Sequence, residues 1–124
     1  MRVKFKSIVY GILGLLFSIG GSIGLINPKQ NATATNEQIA QDLIHTTMEL
    51  GAAILPIGFL LIWSALNPKK VQKLNYFFIL FFLLFASIHW YEYLLGNRQI
   101  ESPLLNSIPL ILIIIVFAFN TKST

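Results

Sequence analysis

Four long apolar runs divide the chain, and each ends in a short polar segment. The first, 7–26, is twenty residues without a charge, enough at about 1.5 Å per helical residue to cross a hydrocarbon layer of roughly 30 Å. The second, 43–66, is interrupted only by His45 and Glu49 and stops at Asn67-Pro68, as the first stops at Asn27-Pro28, a pair that turns a chain out of a helix. The third is 74–95. The fourth, 103–119, is seventeen residues long and carries Pro109 in its second turn. Stretches such as 77–86 and 110–119 are continuously apolar, without the period-two alternation of a membrane barrel. The pattern predicts an all-α integral membrane four-helix bundle, one domain over 1–124, with transmembrane helices at about 7–26, 43–66, 74–95 and 103–119.

Composition supports lipid as the solvent. Of 124 residues, 55% are hydrophobic and only 11% charged, against about a quarter charged in a water-soluble domain. With no cysteine, a disulfide scaffold is excluded, and the apolar excess excludes intrinsic disorder and a nucleic-acid module. The lipid bilayer is the expected partner, with no nucleic acid. Seven of the nine basic residues (Arg2, Lys4, Lys6, Lys69, Lys70, Lys73, Lys122) fall on one side of the predicted spans, and two (Lys29, Arg98) on the other. Because Lys and Arg avoid translocated loops, both termini are expected in the cytoplasm. Residues 1–6 and the apolar run after them also have the outline of a signal peptide, whose removal would leave the C-terminus on the same side.

Small residues on helix 1 (Ser7, Gly11, Gly14, Ser18, Gly21) recur at spacings of four and three, with Gly20 and Gly24 beside them. Such a stripe lets backbones approach closely. Its two readings are packing against helix 2, which carries Gly51, Ala52, Ala53 and Gly58, and a homodimer seam. The Ile-rich run 111–115 suggests a lipid-facing helix 4. The polar segment 27–42 contains the sequon Asn31-Ala32-Thr33 and permits a short surface helix from about Asn36, which could cap it.

Ionisable residues inside a span are costly and point to function. Measured along the helices, His45 and Glu49 lie about 3 and 9 Å below Leu43, and Glu92 and His89 about 4.5 and 9 Å below Leu95. The two pairs therefore share a depth at the outer face, and spacings of four and three keep each on one helix face. If the faces meet, Glu49 opposes His89 and His45 opposes Glu92, beneath a rim of Trp90, Tyr91 and Tyr93 with Asn106 nearby. Three readings compete. The first is structural pairing of imidazoles with carboxylates. The second is a pocket for a lipid, quinone or other amphiphile, its head at His45, Glu49, His89, Glu92, Trp90 and Tyr93 and its tail along Phe81, Phe82 and Phe85. The third is chemistry, with a divalent transition metal on His45, Glu49, His89 and Glu92, or haem between the two histidines. No nucleophile elbow, phosphate loop or dinucleotide fingerprint is present. Ser18, Ser64 and Asn75 alone do not form a proton path.

The Gly-rich first helix (Gly11, Gly14, Gly20, Gly21), Glu49-Leu50-Gly51 entering helix 2, Gly58 further in, and His89-Trp90-Tyr91-Glu92 at the end of helix 3 resemble small bacterial DoxX-like four-helix membrane proteins. The resemblance is architectural and covers most of the chain. It implies a bacterial inner-membrane protein and, by way of some relatives, quinone-linked redox chemistry. His89 departs from the basic residue, such as Arg, that related domains often carry there. The expected function is a non-enzymatic binding or accessory component with no cofactor. The alternative is a membrane redox or metal-dependent enzyme using the His/Glu cluster.

Overall fold

The computed structural model describes residues 2–31, 37–70 and 73–121. Its elements are α1 (Arg2–Ile26), a 3-10 helix (Pro28–Asn31), α2 (Glu37–Leu66), α3 (Leu74–Leu94) and α4 (Glu101–Thr121), with no strand among the described residues. Each α-helix contains a segment long and apolar enough to cross a bilayer: Lys4–Ile26, Ala40–Leu66, Leu74–Leu94 and Glu101–Phe119. The protein is an all-α, multi-pass membrane protein.

The expected helix stops hold. Asn27 N–H closes the last turn of α1 on the Ile23 carbonyl at 2.8 Å, and Pro28 then leaves the α-helical path. Asn67-Pro68 ends α2 the same way, in a turn closed by Lys70 N–H on the Asn67 carbonyl at 3.1 Å. α3 ends in a Schellman motif. Gly96 adopts φ +76°, its N–H donates to Tyr93 O at 2.9 Å, and Asn97 N–H donates to Glu92 O at 2.9 Å. A left-handed residue there favours glycine, which has no Cβ to clash.

Two starts differ from expectation. α1 begins at Arg2 rather than residue 7, because Arg and Lys are good helix formers and charge limits burial in lipid, not helicity. α2 begins at Glu37, so residues 37–42 are its first turns rather than a separate surface helix. No Gly or Pro interrupts the chain between Glu37 and Gly51. Asn36, Ala32 and Thr33, and with them the cap and the sequon, lie outside the described residues. Pro56 in α2 and Pro109 in α4 sit beyond the first turn of their helices. Each withholds one backbone donor, so the carbonyls of Ala52 and Leu105 lose their usual partners while the helices continue.

The chain forms two compact units, Tyr10–Leu66 and Met1–Val9 with Asn67–Thr124. In the first, α1 and α2 run antiparallel and meet backbone to backbone. A Cβ added at Gly21 would lie 2.8 Å from the Leu55 nitrogen, one at Gly14 2.8 Å from the Ile62 nitrogen, and one at Gly51 2.8 Å from the Gly21 carbonyl oxygen. Ser18 lies directly against Gly58, and Gly24 faces Thr47 and Gly51. The stripe of helix 1 thus packs against α2 of the same chain. Gly20 stands outside it, with nothing within 4 Å of an added Cβ.

In the second unit α3 and α4 run antiparallel through side-chain contacts. Phe78, Phe82 and Ala86 of α3 and Ile113 and Val116 of α4 are buried. Tyr76 meets Phe117 edge to face at 5.2 Å, and Phe5 of α1 meets Phe119 at 6.1 Å. Lys6 is only 3% exposed, with its Nζ donating to the Pro68 carbonyl at 3.3 Å. Within 111–115, Ile111, Ile114 and Ile115 are exposed as expected of a lipid-facing helix, whereas Ile113 belongs to the core.

Candidate functional site

The polar residues at the end of α3 are positioned by α4 and by the turn between the two helices. An antiparallel hairpin with a short connection sets the last turns of α3 beside the first turns of α4, so His89 and Trp90 meet the serines there. His89 Nδ1 and Ser102 Oγ are 3.3 Å apart. Trp90 Nε1 donates to Ser107 Oγ at 3.0 Å, and Ser107 in turn donates to the Pro103 carbonyl at 2.7 Å. Asn106 donates from its amide to the Ser102 carbonyl at 2.8 Å. Tyr93 packs edge to face on Trp90 at 6.0 Å.

Glu92 points toward the connecting turn, where Arg98 Nε meets its Oε2 at 3.1 Å. The carboxylate is two-thirds buried and the guanidinium more open, so this pair sits at the rim of the site. Below it runs an aromatic row. Phe77, Phe81 and Phe85 recur every fourth residue and stack with centroids 6.5 and 6.2 Å apart and planes 25° and 14° from parallel. His89 continues the row, meeting Phe85 edge on at 5.1 Å. Spacing by four puts all four rings on one face of α3. Phe82, expected beside the tail of a bound amphiphile, is fully buried, and Phe77 takes its place in the row.

On α2, His45 Nε2 and Glu49 Oε1 are 3.2 Å apart, in a pair of neighbouring helical turns that is about three-quarters and two-thirds exposed. The carboxylates of the predicted site are therefore partnered as His45–Glu49 and Glu92–Arg98, each within one unit. The hydroxyls of Thr46 and Thr47 fold back on the Asp42 and Leu43 carbonyls at 2.8 and 2.7 Å, as hydroxyls in membrane helices commonly do. Among the described residues, no three His, Cys, Asp or Glu side chains are grouped so that they could hold a metal ion. A groove of about 370 Å³ on α1, lined by Ser18, Ile19, Ser22, Ile23, Ile26 and Asn27, contains none of the predicted site residues.

Sequence reasoning passed over Ser102, Ser107 and Arg98. Pairing the end of the third run against the start of the fourth would have found both serines, since they lie at the depth of His89 and Trp90. In the sequence Arg98 reads only as a charge that sets orientation. Of the six predicted ligand residues, His89, Trp90, Glu92 and Tyr93 lie in the α3 end of one unit, while His45 and Glu49 lie in the other. No family model matches the chain, and no curated protein or solved structure matches it significantly.

Proposed function

We propose that the protein is a non-enzymatic membrane component that binds an amphiphile at the C-terminal end of α3, with the polar head at His89 and the tail along Phe85, Phe81 and Phe77. The observation that carries this reading is the state of the His89 ring. Its Nδ1 is engaged by Ser102, which fixes the orientation of the imidazole, while Nε2 has no hydrogen-bond partner among the described residues. A half-buried imidazole with one nitrogen held and the other open suits the carbonyl, hydroxyl or phosphate of a ligand head. From His89 down to Phe77 the row runs about 18 Å at 1.5 Å per residue, a length that suits a lipid chain. Trp90 and Tyr93 supply the amphipathic rings usual at the membrane–water boundary.

In this reading His45 and Glu49 satisfy one another and need no ligand. The distribution of Lys and Arg supports an orientation with this end of α3 outside, both termini in the cytoplasm and the protein in a bacterial inner membrane. The likeness to DoxX-like proteins belongs to the same proposal. The test is native mass spectrometry of protein extracted gently from its membrane. Wild type is expected to carry an amphiphile adduct that His89→Ala loses and Glu49→Ala keeps. Identical spectra for wild type and His89→Ala, or no adduct in either, would remove the support for this function.

A further inference from the structure

We propose that the lysine-bearing end of the second unit is a binding site for the phosphate of an anionic phospholipid. Lys4, Lys69, Lys70 and Lys73 are all exposed there. Lys6 gathers them. Its bond to the Pro68 carbonyl, across 62 positions of sequence, pins the first turns of α1 to the turn that follows α2. Lys4 lies two residues before that bond, Lys69 follows it directly, and Lys70 closes the turn on Asn67. Lys73 is three residues beyond Lys70, so their Cα atoms are no more than about 11 Å apart.

No carboxylate offsets this cluster. The acids of the unit are Glu92, near the end of α3, and Glu101, at the start of α4. At 1.5 Å per residue Glu92 is about 28 Å along the helix from Lys73. Lys69, Lys70 and Lys73, carried within five positions of one another and without an acid beside them, repel one another and favour an anion at this end of the unit.

The depth of the site argues for a lipid rather than a dissolved anion. Lys4 begins the apolar span of α1, and Lys73 directly precedes the apolar α3. Tyr76, in the first turn of α3, is largely exposed and braced against Phe117, the usual position of an interfacial tyrosine. The ammonium groups therefore stand at headgroup level, where phosphate belongs mainly to phospholipid.

The test uses the full chain in nanodiscs of phosphatidylcholine with a minor fraction of phosphatidylglycerol. After gentle detergent extraction, the ratio of the two retained lipids is compared with the bulk ratio. Wild type is expected to retain phosphatidylglycerol enriched about fivefold or more, the factor that one lysine at an anionic surface can supply. The variant Lys69→Gln/Lys70→Gln/Lys73→Gln should fall to the bulk ratio, the corresponding triple Arg variant should keep the enrichment, and Lys29→Gln should not change it. If the triple Gln variant fails to fold, Lys73→Gln alone should lose part of the enrichment. A bulk ratio in wild type, or enrichment that survives the Gln substitutions, overturns the proposal. Displacement by excess inorganic phosphate overturns the lipid assignment in favour of a soluble anion.

Discussion

The two units hold their helices together by different means in the same solvent. In Tyr10–Leu66 the contact is backbone on backbone: glycines at 14, 21, 51 and 58 bring α1 and α2 so close that an added methyl has no room. Between α3 and α4 the contact is side chain on side chain, through the rings of Tyr76 and Phe117 at one end and polar links at the other. Lipid tails are as apolar as leucine, so neither interface gains from removing apolar surface from water, and both rest on close contact and internal hydrogen bonds. The glycine seam gains its contact by having no side chains in the way. The aromatic hairpin gains it by filling space, which leaves polar side chains free to be placed with purpose.

The largest expected effect is on the space-filling side. Phe82→Ala, at a fully buried position, should destabilise the protein by about 3–5 kcal/mol through the cavity it leaves, read as a lower thermal midpoint in detergent. On the glycine side an added group is the damaging change. Gly21→Val should cost about 1–3 kcal/mol by forcing the seam apart, whereas Gly20→Val, one residue along, should behave as wild type in the same melt. Equal effects at 20 and 21 would break the contrast between the units.

A smaller effect is expected for the polar link. A double-mutant cycle of Trp90→Phe and Ser107→Ala should show coupling of about 0.6 kcal/mol, the usual size of a hydrogen bond between membrane helices. Additive losses would mean that the bond contributes nothing. The smallest effect should come from His45→Ala, since the His45–Glu49 pair is exposed and lies within one helix. A nearly unchanged thermal midpoint is expected, because an i,i+4 pair within one helix contributes only about 0.2–0.5 kcal/mol and ties α2 to no other helix.

Much of this contrast is legible in the order of residues. Four apolar runs gave four helices, and Asn27-Pro28 and Asn67-Pro68 ended two of them as expected, because a proline acts on its immediate neighbours. The small stripe of helix 1 was readable as a close-contact face, with packing against α2 as one of its two readings. Pro56 did not interrupt the second run, and α2 continues through it as a span over 43–66 requires. Beyond the helices, legibility fell. Depth arithmetic placed His89 and Glu92 near the end of α3, but depth fixes height along a helix and not the direction a side chain faces. His89 found Ser102, and Glu92 turned to Arg98 in the connecting turn. His45 and Glu49, four residues apart, had a partner available on their own helix.

The most direct test of the ligand site follows the two nitrogens of one ring. Nitrogen-15 labelling of histidine in the His45→Gln protein leaves His89 as the single reporter, observed by NMR with its native amphiphile present and again after extraction of that ligand. The expected result is a shift confined to Nε2, with Nδ1 still held by Ser102. Both nitrogens unmoved, or both displaced alike, would contradict a ligand head docked on the open edge of His89.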